Sequence, residues 1–225
     1  MKVNWSKTIE QYRGKWGVAG VDLSSVDDLT CAVYLFPYDN DRQMIDVLMR
    51  TWCPESKIHD RKNKYREIYQ GWERQGWIHV TEGNGVDYDF VCDEIIKDSK
   101  IFNLGLIGID RGFQGVPFAM KLEKELGHSE KRPVVITCTN HPVRISPACE
   151  EFERRLLDRK INHGGNPILR FMIDSVAIRT SSDGQKKPDK DKSQGKIDGV
   201  IALLYALERL MKSKAPPKIK MPIVI

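Results

Sequence analysis

Residues 16–23, WGVAGVDL, decide the fold, and residues 104–110, LGLIGID, repeat their pattern. Each is a short apolar run of small and β-branched residues with no polar alternation, which is how a strand buried on both faces reads. Each also carries an aspartate at or near its end, Asp22 in the first and Asp110 in the second. A carboxylate at the end of a buried strand is costly unless it lies at the carboxyl edge of a sheet, where water, ligand or metal compensates it. Taken singly, such a residue is a turn former or a helix cap.

Working outward from the first run, residues 1–15 are polar and aperiodic and read as a linker or arm. Beyond the polar turn at 24–28, residues 29–36 read as a second strand and 44–51 as a third, which together make a meander. Ile58, Tyr65, Ile68, Tyr69 and Trp72 recur at helical spacing and predict a helix over 56–75. A strand at 77–82 and an amphipathic helix at 87–97 follow, the helix with acids in its first turn. After the second run come a helix at 113–126, a strand at 134–137 and a helix at 147–159. Alternation of this kind implies parallel pairing. HGGNP at 163–167 is a turn by composition. Residues 168–173 and 175–179 read as a hairpin or extended ribbon, 180–195 as a polar, lysine-rich mobile connection, and 196–210 as the last helix.

That last helix holds the third aspartate. IDGVIALLYAL at 197–207 has one charge in eleven residues, and a helix apolar around most of its circumference is buried. Asp198 then either enters the interior or sits in the first turn to complement the helix dipole. Asp22, Asp110 and Asp198 lie about ninety residues apart, so together they are not local turn chemistry. If they converge, they form a hard, oxygen-only site that selects Mg²⁺ or Mn²⁺ over zinc.

The composition is consistent with this. The chain has 225 residues, 40% hydrophobic and 30% charged, with 17 Gly, 11 Pro and 5 Cys. It reads as one soluble domain, and collagen-like, disulfide-scaffold and disordered classes are excluded. No stretch approaches the roughly 18 apolar residues a membrane span needs, and residues 1–15 contain no apolar signal segment, so a cytoplasmic location is expected. The five cysteines are odd in number and lack C-x-x-C spacing, which makes them reduced thiols rather than zinc ligands. Net charge is +5, and residues 185–225 hold ten Lys or Arg against four Asp or Glu; that end permits a polyanionic partner. His163, Trp52, Trp72 and Trp77 read as structural. No G-x-x-x-x-G-K-[ST] segment occurs, so no ATPase is expected in these residues.

Four stretches carry a resemblance: GVDLSSVDDLT (20–30), IGIDRG (107–112), KINHGGNPILRFM (160–172) and KKPDKDKSQGKIDGVIALLYAL (186–207). In this order they resemble the C-terminal nuclease domain of the large terminase subunit of tailed bacteriophages. The resemblance implies a ribonuclease H-like α/β fold, a central mixed β-sheet flanked by α-helices on both faces, over 16–212. Residues 1–15 would be the linker from a missing ATPase domain and 213–225 a C-terminal tail. It also implies that Asp22, Asp110 and Asp198 hold two Mg²⁺ or Mn²⁺ ions, and that the domain cleaves concatemeric viral DNA during packaging in the host cytoplasm. The implied partners are double-stranded DNA, the ATPase domain, the small terminase subunit and the portal, with no membrane. Asp27, Lys187, Lys190 and Lys192 are candidates for outer contacts to the metal site or the phosphate. Gly199 stands where many relatives carry a second acid, and Phe171 and Ser175 where they carry Trp and Asn. Two other readings stay open. A junction resolvase or transposase would prefer branched DNA, and a non-catalytic DNA-binding or docking module would ignore EDTA.

Overall fold

Both aspartate-bearing runs become central, neighbouring strands. The computed structural model describes residues 2–23, 29–38, 43–110, 112 and 115–213. It opens with α1 (Trp5–Glu10), where the Asn4 side chain accepts the Lys7 N–H. The antiparallel strands β1 (Trp16–Asp22), β2 (Thr30–Pro37) and β3 (Ile45–Pro54) form the expected meander. Two short helices, α2 (Glu55–His59) and α3 (Arg66–Arg74), lead to β4 (Ile78–Thr81). Next come α4 (Tyr88–Ile101), capped by Asp87, and β5 (Asn103–Asp110). The rest is α5 (Gly115–Glu125), β6 (Val135–Cys138), α6 (Pro142–Leu157), β7 (Ile161–Asn162), α7 (Pro167–Ser175), the hairpin β8 (Ile178–Thr180) and β9 (Lys186–Pro188), and α8 (Asp198–Lys212). Strand order in the main sheet is β4-β3-β2-β1-β5-β6, with β7 beside β3. β5 is parallel to both β1 and β6, as the alternation of strand and helix predicts.

Four expectations are corrected. The ribbon over 168–179 is mostly α7, because Asn166 is a cap rather than a turn residue: its Oδ1 accepts the N–H of Ile168 and of Leu169, each at 3.0 Å. Pro167 in the first turn and buried Ile168, Leu169 and Met172 complete the helix. The single helix over 56–75 is split, since Asp60 and Asn63 accept the N–H groups of Lys62 and Tyr65 and turn the chain between α2 and α3. α6 starts at Pro142 and holds Pro147 inside it. The arm contains α1, which the Trp5 indole N–H fixes to the Gly76 carbonyl at 2.7 Å and Ile9 anchors in the core. All five cysteines are buried free thiols, and burial pushes those of Cys92, Cys138 and Cys149 up to about 12. Among the described residues no helix is long and apolar enough to cross a membrane.

The sheet separates two cores. One packs α2, α3, α6, α7 and α8 against Val18, Val33, Leu35 and Met49. The other packs α1, α4 and α5 against Ala19, Val21, Tyr34, Ile107 and Ile109. Strand residues alternate between faces, so Asp22 shares the α8 face with Val18 and Gly20. The approach of α8 to that face is close. A methyl group at Gly20 would lie 2.0 Å from the Ala202 carbonyl oxygen and 2.5 Å from the Ala206 nitrogen; one at Gly108 would lie 3.2 Å from the Tyr205 carbonyl oxygen of α8 and 2.7 Å from Cys138 Sγ of β6. Both glycines are two residues before an aspartate.

Gly20→Ala therefore forces backbone against backbone, and urea denaturation should give a loss of more than about 3 kcal/mol. Gly71→Ala in α3 meets nothing nearer than an Arg74 side-chain atom at 4.0 Å; it should leave stability unchanged or raise it by about 0.5–1 kcal/mol.

Candidate active site

Asp22 is the last residue of β1 and Asp198 the first of α8; they are 7% and 5% exposed. One cation touches both. The Lys190 ammonium lies 3.7 Å from Asp22 Oδ2 and 3.4 Å from Asp198 Oδ1, while its own side chain stays 55% exposed. Asp110 ends β5 on the adjoining strand, one residue past the last pair of the β1–β5 register, Val21 with Ile109. It is half-buried, and its Oδ1 accepts the Gly112 N–H at 2.9 Å. The three aspartates therefore belong to one edge of the sheet, two of them joined through Lys190 and the third set beside them by strand pairing.

Tyr205 of α8 lies within the field of Asp22 and Asp110. It lies seven residues after Asp198, two helical turns on, and therefore on nearly the same helix face. Burial, followed by the charges of Asp22 and Asp110, holds the pKa of its hydroxyl far above that of an ordinary phenol. The hydroxyl thus keeps its proton beside the acids. Asp198 also sits in the first turn of α8, where the helix dipole favours negative charge. Sequence reading left out Tyr205; the seven-residue spacing from Asp198 was the available signal.

The other candidates are placed differently. Lys187 is in β9 opposite Arg179, and Lys192 gives its backbone N–H to Asp189 Oδ1 at 3.3 Å. Asp27 lies outside the described residues. Among the described residues no three His, Cys, Asp or Glu side chains stand close enough to enclose one ion; Lys190 stands between two of the acids, and Asp110 is turned to Gly112. The donors available at this edge are carboxylate oxygens, the set that suits a hard divalent cation.

The space beside Gly199 is filled by methionine sulfur. A methyl group there would lie 2.6 Å from Met49 Sδ and 2.7 Å from Met172 Sδ, and its N–H points to Met172 Sδ at 3.1 Å. A second acid at this position is thus buried among thioethers. Gly199→Asp should destabilise the fold by on the order of 3 kcal/mol or more, read by thermal or urea denaturation, and added Mn²⁺ should not restore it.

Comparison with known proteins agrees with this architecture. The family model described as terminase large subunit, endonuclease domain, matches residues 4–214. Protein YmfN of Escherichia coli strain K12 is 30% identical over 215 residues, covering 92% of this chain and 46% of YmfN. The terminase large subunit of Enterobacteria phage HK97 is 30% identical over 200 residues, covering 86% of this chain and 37% of that protein. The chain thus spans less than half the length of these relatives. The crystal structure of the HK97 large terminase superimposes with a TM-score of 0.75 at 26% identity, over 90% of this chain and 42% of the other. The large terminase nuclease of thermophilic phage G20c, solved with bound magnesium, gives 0.53 at 10% identity over 88% and 85% of the two chains, a likeness of fold alone. The mixed sheet flanked by helices on both faces is the ribonuclease H-like arrangement expected from the sequence. By the extent of the family match and the identity to its relatives, the chain belongs to the terminase large subunit endonuclease domain family.

Proposed function

We propose that this chain is the endonuclease part of a DNA-packaging motor, hydrolysing phosphodiester bonds of double-stranded DNA and cutting concatemeric viral genomes in the host cytoplasm. One observation carries the reading: buried acids from the first strand and the last helix share a lysine, at the sheet edge where the adjoining strand ends in a third acid. Asp22, Asp110 and Asp198 would hold two Mg²⁺ or Mn²⁺ ions. Magnesium in the G20c nuclease supports that choice. When bound, such ions polarise the scissile phosphate and lower the pKa of water.

The chain's own groups do the rest. Asp22, on the central strand, would be the acid shared in holding the ions. The Gly112 N–H holds the Asp110 carboxylate, and half-exposed Lys190 reaches solvent and neutralises phosphate charge. Lys187 and Lys192, on the same lysine-rich segment, add to the attraction for the backbone. Contacts of this kind carry no sequence information, so cutting is nearly indifferent to sequence. In this reading residues 1–15 lead from an ATPase domain, 16–212 cut DNA, and 213–225 form a tail; the small terminase subunit and portal are the assembly partners.

Plasmid nicking in Mn²⁺ tests the assignment. Asp22→Asn and Asp198→Asn should each lower the rate at least about a hundredfold, and EDTA should stop the wild-type reaction; retained nicking by both variants contradicts it. Branched substrates should be cut no faster than linear ones, which separates this reading from a junction resolvase. Reversing the charge of Lys187 and Lys190 should weaken DNA binding and reduce the slope of log K against log salt by about one per lost contact. An unchanged slope removes both from the interface.

A further inference from the structure

We infer that Lys190 is the resident counter-ion of the Asp22–Asp198 pair, held in place by Asp189, and that a divalent cation must displace its ammonium in order to bind. The inference rests on the proposed metal-dependent reading and adds to it an exchange of cations within the site. The geometry of the turn is the reason. Asp189 is itself buried, and its Oδ1 accepts the N–H groups of Asp191 at 3.2 Å and Lys192 at 3.3 Å. Its carbonyl accepts the Ser193 hydroxyl at 2.6 Å, and Ser193 Oγ in turn accepts the Ala177 N–H at 3.0 Å. The Asp189 N–H donates to the Ala177 carbonyl at 2.9 Å. Residue 190 is therefore carried on a closed turn fixed to the segment between α7 and β8, rather than on a loose loop.

From that turn the Lys190 ammonium reaches both acids, and a cation joining the two carboxylates needs the same space. Two like charges a few ångströms apart repel, so the lysine competes with the metal. A lysine has a flexible stem and a compact charge, and this side chain is half-exposed, so it can leave the pair without disturbing the fold. Asp189 acts as a positioning residue through Lys190.

Two readouts test this on the whole chain without DNA: Mn²⁺ binding by titration calorimetry, and melting temperature with and without Mn²⁺. Lys190→Met should bind Mn²⁺ roughly three- to tenfold more tightly, melt lower than wild type without divalent ions, and recover in saturating Mn²⁺. Asp189→Ala should shift Mn²⁺ affinity the same way by less. Asp189→Asn keeps the Oδ1 acceptor and should match wild type. A purely structural Asp189 would lower the melting temperature of the alanine variant without tightening Mn²⁺ binding, which overturns its positioning role. If Lys190→Met binds Mn²⁺ no more tightly while Asp22→Asn abolishes binding, the exchange is refuted and the metal reading survives. If wild type binds no Mn²⁺, both are refuted.

Discussion

The approach of one helix to two glycines sets the geometry of the site. α8 lies so close to β1 that its Ala202 and Ala206 backbones occupy the space a side chain at position 20 would need, and over β5 a methyl group at Gly108 would lie 3.2 Å from the Tyr205 carbonyl oxygen of the same helix. Small residues on both sides turn a helix–sheet contact into a fixed distance, because backbone cannot relax as a flexible side chain does. Asp22 and Asp110 follow those glycines by two residues, and Asp198 begins the same helix. The height at which α8 rests on the sheet is therefore also the relation among the acids. The β1–β5 register, Val21 opposite Ile109, sets Asp110 beside Asp22 and makes the third acid part of that relation.

Gathering carboxylates in a protein interior opposes folding, since each loses hydration and repels its neighbours. The fold offsets the cost with partial and reversible means: the positive end of α8 under Asp198, a backbone N–H on Asp110, and one lysine ammonium over Asp22 and Asp198. None of these is a permanent partner in the way a buried arginine would be. A half-exposed lysine stabilises the pair, and in the proposed reading it leaves the site able to accept another cation.

Much of this was legible in the sequence, for identifiable reasons. β1 and β5 were readable because short apolar runs rich in small and β-branched residues suit a strand covered on both faces. The acids stood out because a carboxylate ending such a strand must be compensated by something nearby. The burial of α8 followed from its single charge in eleven residues. α7 was misread because Asn-Pro suits a turn as well as a cap and first turn, and only the tertiary burial of Ile168, Leu169 and Met172 separates the two. Residue type alone does not separate Lys187, Lys190 and Lys192, although the family resemblance favours Lys190; in the structure Lys190 is the one beside Asp22 and Asp198. The surroundings of Gly199 were hidden, because they depend on two methionine sulfurs from β3 and α7.

The most direct test of the central claim, that acids from three distant segments act as one cation site, is anomalous diffraction from a crystal of this chain soaked in Mn²⁺. The account predicts anomalous density bounded by the carboxylates of residues 22, 110 and 198, with the Lys190 ammonium moved off the aspartate pair. Density confined to other surfaces, or none at this edge with the lysine still bridging the two acids, would contradict it.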